Sequence, residues 1–299
     1  MNKKILKISI YSLLVLVLAL VLILSPNFDY NLTKTLSGVQ QTSDGLQWTP
    51  SPVLPFLENL VNLPLLVLVV FCLYVIQKWL LYKYRLKSWN SYVKIILQIL
   101  VAVGIYFAFE AFFKKYVGEE NIGILVFAFS LILTLIVFFV GRKQLKKINP
   151  ESVERFFKPA IKTLAIGVII FAVTLSIGLL VGRPTMLDVV KTKNPAFYKD
   201  WFRSIYLSGF SSFPANGIAL ITTLYCSTFF IDKNKKNLQT IFYVLITVWV
   251  VFAMLVNLMS CKNFLSDLVM GYSVAVLIIE ISKLVAYEYE RIFIYGQEV

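Results

Sequence analysis

Thr163-Leu-Ala-Ile-Gly-Val-Ile-Ile-Phe-Ala-Val-Thr-Leu-Ser-Ile-Gly-Leu-Leu-Val-Gly-Arg-Pro184 is the stretch whose reading decides the fold. From Thr163 to Gly182 it carries no charge. A bilayer core about 30 Å thick is crossed by roughly 20 mostly apolar residues in a helix. Lipid offers the backbone no hydrogen-bond partner, so such a run has to satisfy its N–H and C=O groups internally, as a helix does. The stretch reads as a transmembrane helix, with Arg183 and Pro184 just past its end.

Similar runs recur on both sides of it, at about 8–24, 59–81, 95–113, 122–141, 215–231, 239–258 and 268–286. With the opening stretch they give eight spans and an all-α polytopic helical membrane protein. Four spans fall in an N-terminal membrane region, 1–162, and four in a second region, 163–299. The composition agrees: 59% of the 299 residues are hydrophobic and 15% charged, with a mean hydropathy of +0.78. Soluble domains are about half apolar, and the strand alternation of a barrel is absent. The first run is longer than a secretory h-region and ends in Ser25-Pro26-Asn27 without a small-residue cleavage pattern, so it reads as a retained span. Residues 26–58 form a polar outer loop, with Trp48, Pro50, Pro52 and Pro55 suited to the membrane interface.

The net charge is +13, and the basic residues lie in short loops between spans rather than on one soluble face. That arrangement excludes nucleic acid as a partner. About two thirds of the 29 lysines and arginines fall on one side when the N-terminus is placed inside. Both termini are therefore expected in the cytoplasm, and the protein in the plasma (cytoplasmic) membrane. Cys72, Cys226 and Cys261 show no CxxC spacing, so no disulfide framework, metal site or cofactor is expected. Gly178 and Gly182 form a GxxxG pair that reads as helix packing. Glu280, inside the last span, is either an ion site or a hydrogen-bond donor or acceptor to a neighbouring helix. Glu110 reads as interfacial.

Three clusters stand at the outer ends of spans in this topology: Val181-Gly-Arg-Pro184, Ser212-Phe-Pro-Ala-Asn-Gly217 and Asn263-Phe-Leu-Ser-Asp267. In order and spacing they resemble the three motifs of the type 2 phosphatidic acid phosphatases, relatives of the vanadium haloperoxidases. The resemblance covers roughly residues 163–290. Arg183-Pro184 matches the end of the first motif, Phe213-Pro214 the entry to the second, and Asp267, between Ser266 and Gly271, the end of the third. It implies that the last four spans resemble the lipid-phosphatase core bundle. It also implies a site in which one histidine attacks phosphorus, an aspartate orients it, a second histidine protonates the leaving alkoxide, and cations hold the phosphoryl oxygens.

The departures fall on the chemistry. The chain has no histidine. Gly217 and Asn263 occupy the two histidine positions, Ser176 the lysine position and Asn257 an arginine position. An amide neither attacks phosphorus usefully nor shuttles protons near neutral pH, and fixed positive charge is central to phosphoryl transfer. Asp267 keeps the orienting position without a histidine to orient. Arg183, Asn216, Asn257 and Lys262 form the candidate phosphate-binding set. Arg183 is able to take a phosphate bidentately, and Asn263 and Asp267, four apart, share a helix face and are placed to hydrogen-bond to each other. Cys261 and Ser212 are the neighbouring groups able in principle to act as nucleophiles. The loop after Arg183 adds Lys191, Lys193, Lys199 and Arg203 with Phe197, Tyr198, Trp201 and Phe202, a composition suited to an anionic headgroup.

The leading expectation is a catalytically degenerate member of this family that binds a phosphorylated membrane lipid at the outer face or holds a membrane-protein partner. A lipid-phosphate phosphatase or phosphotransferase working with non-standard residues is the alternative, and a transporter or membrane scaffold the third.

Overall fold

The computed structural model describes residues 25–83, 149–198, 212–232 and 234–295, with scattered positions between 92 and 143. The expected first, third and fourth spans lie outside the described residues apart from those positions, which are helical, and Glu110, Lys199, Trp201, Phe202 and Arg203 lie outside them altogether. In chain order the elements are α1 (Ser25–Ser37), β1 (Gln40–Thr42), β2 (Gly45–Gln47), α2 (Leu54–Lys83), α3 (Pro150–Val181), α4 (Met186–Lys191), a 3-10 turn at Pro195–Phe197, α5 (Asn216–Thr222), a 3-10 helix at Thr223–Phe230, α6 (Lys236–Met259) and α7 (Leu265–Tyr295).

Among the described residues four helices are long and apolar enough to cross a membrane: Leu54–Leu80, Glu151–Lys191 including the break after Val181, Lys236–Met259 and Leu265–Lys283. They match the expected second, fifth, seventh and eighth spans. Their outward side chains are apolar, among them Val67, Val168, Leu180, Val244 and Val248, as lipid contact requires. The described residues are thus mostly helical, with four helices fit to span a membrane and one short hairpin in which Gln41 stands opposite Leu46.

Two expectations change. The run 215–231 is not one regular helix. It is seven residues of α5 followed by eight in 3-10 form, about 26 Å of rise in all. Thr222 Oγ1 donates to the Ile218 carbonyl and Thr228 Oγ1 to the Tyr225 carbonyl. Such bonds from hydroxyls back to the main chain bend and loosen helices, which a hydropathy average does not register. Gly182, read as half of a packing pair, is not in a helix. Its φ of +60° places it in the left-handed region, where it ends α3 as a glycine C-cap and turns the chain toward Arg183.

The other helix ends follow local chemistry. Asn149 precedes Pro150, and Glu151 sits in the first turn of α3, where proline fits without losing a bond and an acid meets the positive end of the helix. Thr185 and Asp188 cap the start of α4 with reciprocal side-chain to backbone bonds, a capping box. The end of α6 is a Schellman turn: Lys262 N–H donates to Asn257 C=O and Cys261 N–H to Leu258 C=O, with Cys261 at φ +55°.

The described residues form two compact units interleaved along the chain. One draws on the described residues within Met1–Leu54, Ile169–Thr222 and Val250–Val299, the other on those within Pro55–Val168 and Thr223–Trp249. In the second, Phe71, Phe156 and Phe230 pack edge to face, Trp79 stacks on Phe157, and Arg155 pairs with Asp232 at 3.0 Å. The first unit carries all three clusters. Its helical part is covered by a cap in which Val39 and Leu46 meet Met186, Val189, Cys261 and Phe264. Trp48, expected at the membrane interface, packs against that cap and donates its indole N–H to the Ser37 carbonyl at 3.1 Å.

Candidate functional site

The three clusters converge, and their backbones are bonded to one another. Ser212 N–H donates to the Arg183 carbonyl at 3.0 Å, and Ala215 N–H to the Asp267 carbonyl at 2.9 Å. Ser212 Oγ donates to the Pro184 carbonyl at 3.1 Å. Asn263 Nδ2 donates to the Ser212 carbonyl at 2.9 Å. Segments separated by tens of residues are therefore laid against the N-terminus of α7.

Arg183 is at the centre. Among the described residues it is the largest fully buried side chain, with no exposed surface. Its Nη1 donates to Asp267 Oδ1 and, at 2.7 Å, to Ser266 Oγ. Its Nη2 donates to Asp29 Oδ2 at 2.9 Å and to the Tyr198 hydroxyl at 3.2 Å. The guanidinium lies 4.4 Å from the ring centroid of Phe264 and 5.3 Å from that of Tyr198. A buried charge is tolerated only when paired and hydrogen-bonded, and here both ends of the fork are taken.

Asp29 is the residue that sequence reasoning missed. It sits on α1, inside the stretch read as an interfacial loop, and is 1% exposed. Besides Arg183, its carboxylate accepts from the Ser266 backbone N–H at 3.0 Å and from the Ser266 hydroxyl. Ser266 is the second residue of α7, so Asp29 stands at that helix's positive end, equivalent to roughly half a unit charge. Asp267 uses its other oxygen to accept from Phe264 N–H at 2.9 Å, a bond back to the residue before the helix. One guanidinium, two backbone N–H groups and a serine hydroxyl thus hold two carboxylates, while the Tyr198 hydroxyl accepts from the guanidinium. The available signal was the periodicity of α1: Asp29, Thr33 and Ser37 fall every fourth residue and form its buried face, while Phe28 and Leu36 are 59% and 41% exposed.

The remaining candidates separate. Asn263 lies before α7 rather than in it, so the side-chain pair with Asp267 expected from helical spacing does not form; Asn263 bonds to Ser212 instead. Asn216 begins α5 and accepts from Thr174 Oγ1 at 2.9 Å, tying α5 to α3. Asn257 is folded back on its own helix, donating to the Ala253 carbonyl at 2.8 Å. Lys262 is half-buried in the turn between α6 and α7. Gly217 is exposed, and a Cβ there meets nothing within 4 Å. Ser176 is exposed and bonds to the Ala172 carbonyl. Lys191 and Lys193 are exposed.

Neither substitute nucleophile has the required setting. Cys261 is fully buried in the cap, and burial pushes its thiol up to about 11, the opposite of the depressed pKa a reactive thiol needs. Ser212 is buried, with its hydroxyl on a backbone carbonyl. Glu280, the candidate ion site, pairs with Lys283 one turn on along α7. No cluster of metal-ligating side chains occurs among the described residues. No protein-family model, curated protein or solved structure matches the chain.

Proposed function

We propose that this protein is a catalytically silent membrane protein of the lipid-phosphatase type, which holds the phosphorylated headgroup of a lipid at the outer membrane face and does not hydrolyse it. The observation that carries this reading is the convergence of Arg183 with Asp267 and the N-terminus of α7, at positions where the resemblance puts a phosphate site, in a chain without histidine. Arginine, a serine hydroxyl and helix N–H groups are general anion ligands. Among the described residues a nucleophile with an orienting base, which phosphoryl transfer through the enzyme would need, has no counterpart: Asn263 and Gly217 stand at the two key positions and Cys261 is a buried thiol.

The test uses the full chain in lipid nanodiscs. Phosphate release from phosphatidate is expected to stay at the protein-free rate, while native mass spectrometry retains phosphatidate in preference to phosphatidylcholine. Turnover at ordinary enzyme rates, abolished in Asp267→Ala, overturns the non-catalytic part. Equal retention of the two lipids overturns the binding part. Complete burial of Arg183 favours a second reading, a membrane scaffold in which the ion pairs only fasten the cap; that reading expects no lipid preference in any variant.

A further inference from the structure

The carboxylate of Asp29 is held as a bound anion is held. Arg183 Nη2, the Ser266 backbone N–H and the Ser266 hydroxyl converge on it from two other segments, and the positive end of α7 lies behind them. The buried face of α1 carries Asp29, Thr33 and Ser37, with Phe28 and Leu36 outside, and Tyr30 packs against the cap and the Tyr198 ring. The Thr33 hydroxyl, one turn from Asp29 on that face, is fully buried and without a hydrogen-bond partner, a state that usually signals a place for a ligand or water oxygen. The centre also sets two carboxylates, Asp29 and Asp267, against one guanidinium. Of these, Asp267 belongs to α7 itself and caps its own helix through Phe264 N–H. Asp29 arrives from a separate segment.

We propose that Asp29 is a built-in competitor: its side chain closes an anion-binding centre formed by Arg183 and Ser266, and a phosphate monoester takes the same donors when α1 lifts away. A phosphate offers the same oxygens as a carboxylate and one more. The inference deepens the lipid-binding reading and rests on it for the source of the phosphate, a headgroup rather than a free ion. The donors themselves are indifferent to that source. With α1 seated the guanidinium has no exposed surface, so apparent affinity is reduced by the fraction of molecules in which α1 is open.

The full chain is compared as wild type, Asp29→Ala and Asp29→Asn. Asp29→Ala leaves a carboxylate-sized gap and lowers Tm. Inorganic phosphate, added at constant ionic strength against chloride, is expected to restore that loss saturably, and to leave the wild type unmoved. Asp29→Asn preserves the shape of the side chain and guards against simple misfolding. In nanodiscs doped with phosphatidate it is expected to bind that lipid at least about tenfold more tightly than the wild type. Adding Arg183→Met to either variant should remove the gain. Phosphate rescue together with the phosphatidate gain identifies a headgroup; rescue without it identifies a free anion, and the competitor role stands in both cases. If neither variant gains affinity, or the gain survives Arg183→Met, the inference is wrong. Wild-type protein that prefers phosphatidate while the variants gain nothing brings down this inference and leaves the proposed function intact; the reverse pattern brings down only the proposed function.

Discussion

A guanidinium without solvent contact has to find its counter-charges inside the protein, and Arg183 finds them on two elements that the sequence places far from it, Asp29 on α1 and Asp267 on α7. Breaking a buried pair by removing one partner typically costs about 3–5 kcal/mol, so this centre is where single substitutions weigh most. Cys261 shows the same logic without charge. Burial disfavours the thiolate, and the thiol is held up to about 11 against an ordinary 9.0. In the folded protein a soluble maleimide should therefore leave Cys261 unmodified at pH 7.5 and label it after denaturation. The raised folded value also sets a sign. Stability from keeping the thiol neutral is fully present below pH 9 and is lost as pH rises toward 11, by about 1.4 kcal/mol per unit. The alkaline decline in Tm should be smaller in Cys261→Ala than in wild type. If folded Cys261 labels rapidly at pH 7.5, its burial is wrong. The grouping of Arg183 with Asp267 was legible because the motif spacing put both in one set, and the two are paired in the fold. Asp29 was not, because a carboxylate in a turn-rich outer loop looks like any solvated acid until its partner is known.

At the scale of the element, helix starts and stops followed the sequence closely, and helix facing did not. Pro150 with Glu151, Thr185 with Asp188, and Gly182 all mark boundaries by local chemistry. The facing of α1 runs against its hydrophobic pattern, since a helix that lies beside a buried charged centre turns its polar stripe inward. Close packing of α7 on α5 rests on Gly271, where a Cβ would lie 2.5 Å from the Ala215 carbonyl oxygen. Gly271→Ala forces backbone apart and is expected to destabilise by about 1–3 kcal/mol, the range for overpacking. Gly217→Ala, on the facing helix but in open space, should be neutral or stabilising by up to about 1 kcal/mol through helix propensity. Tm values of the two variants in the same detergent check the contrast; equal effects would show that the α5–α7 contact is not as close as described.

For the whole molecule, the cap and the convergence of clusters matter more than the number of spans. Hydropathy found four of the long helices described here and also marked 215–231, where length in residues concealed a change from α to 3-10 geometry. If α3 crosses the bilayer, its two ends face opposite sides. Cysteine placed at Glu151, in its first turn, and at Lys193, past its last turn and exposed, should then be modified by an impermeant reagent from opposite sides of the membrane, with Lys193 on the outer side. Labelling of both from one side contradicts a transmembrane α3. The native thiols Cys72, Cys226 and Cys261 are all buried, so the background in this experiment is low.

The sequence by itself determined that this chain folds as membrane helices, where several of them begin and end, and that its three clusters lack histidine. These properties are local: hydropathy over some twenty residues, capping side chains and residue identity act within a turn or along one helix. Only the tertiary structure decided that Arg183 is occupied rather than open, that its second counter-charge is Asp29, that Asn263 bonds to the Ser212 backbone instead of to Asp267, and that the polar side of α1 faces inward. Each depends on which distant segments share the low-dielectric space around one buried charge. A guanidinium there takes whichever carboxylates the packing brings within reach, and sequence spacing does not encode that choice.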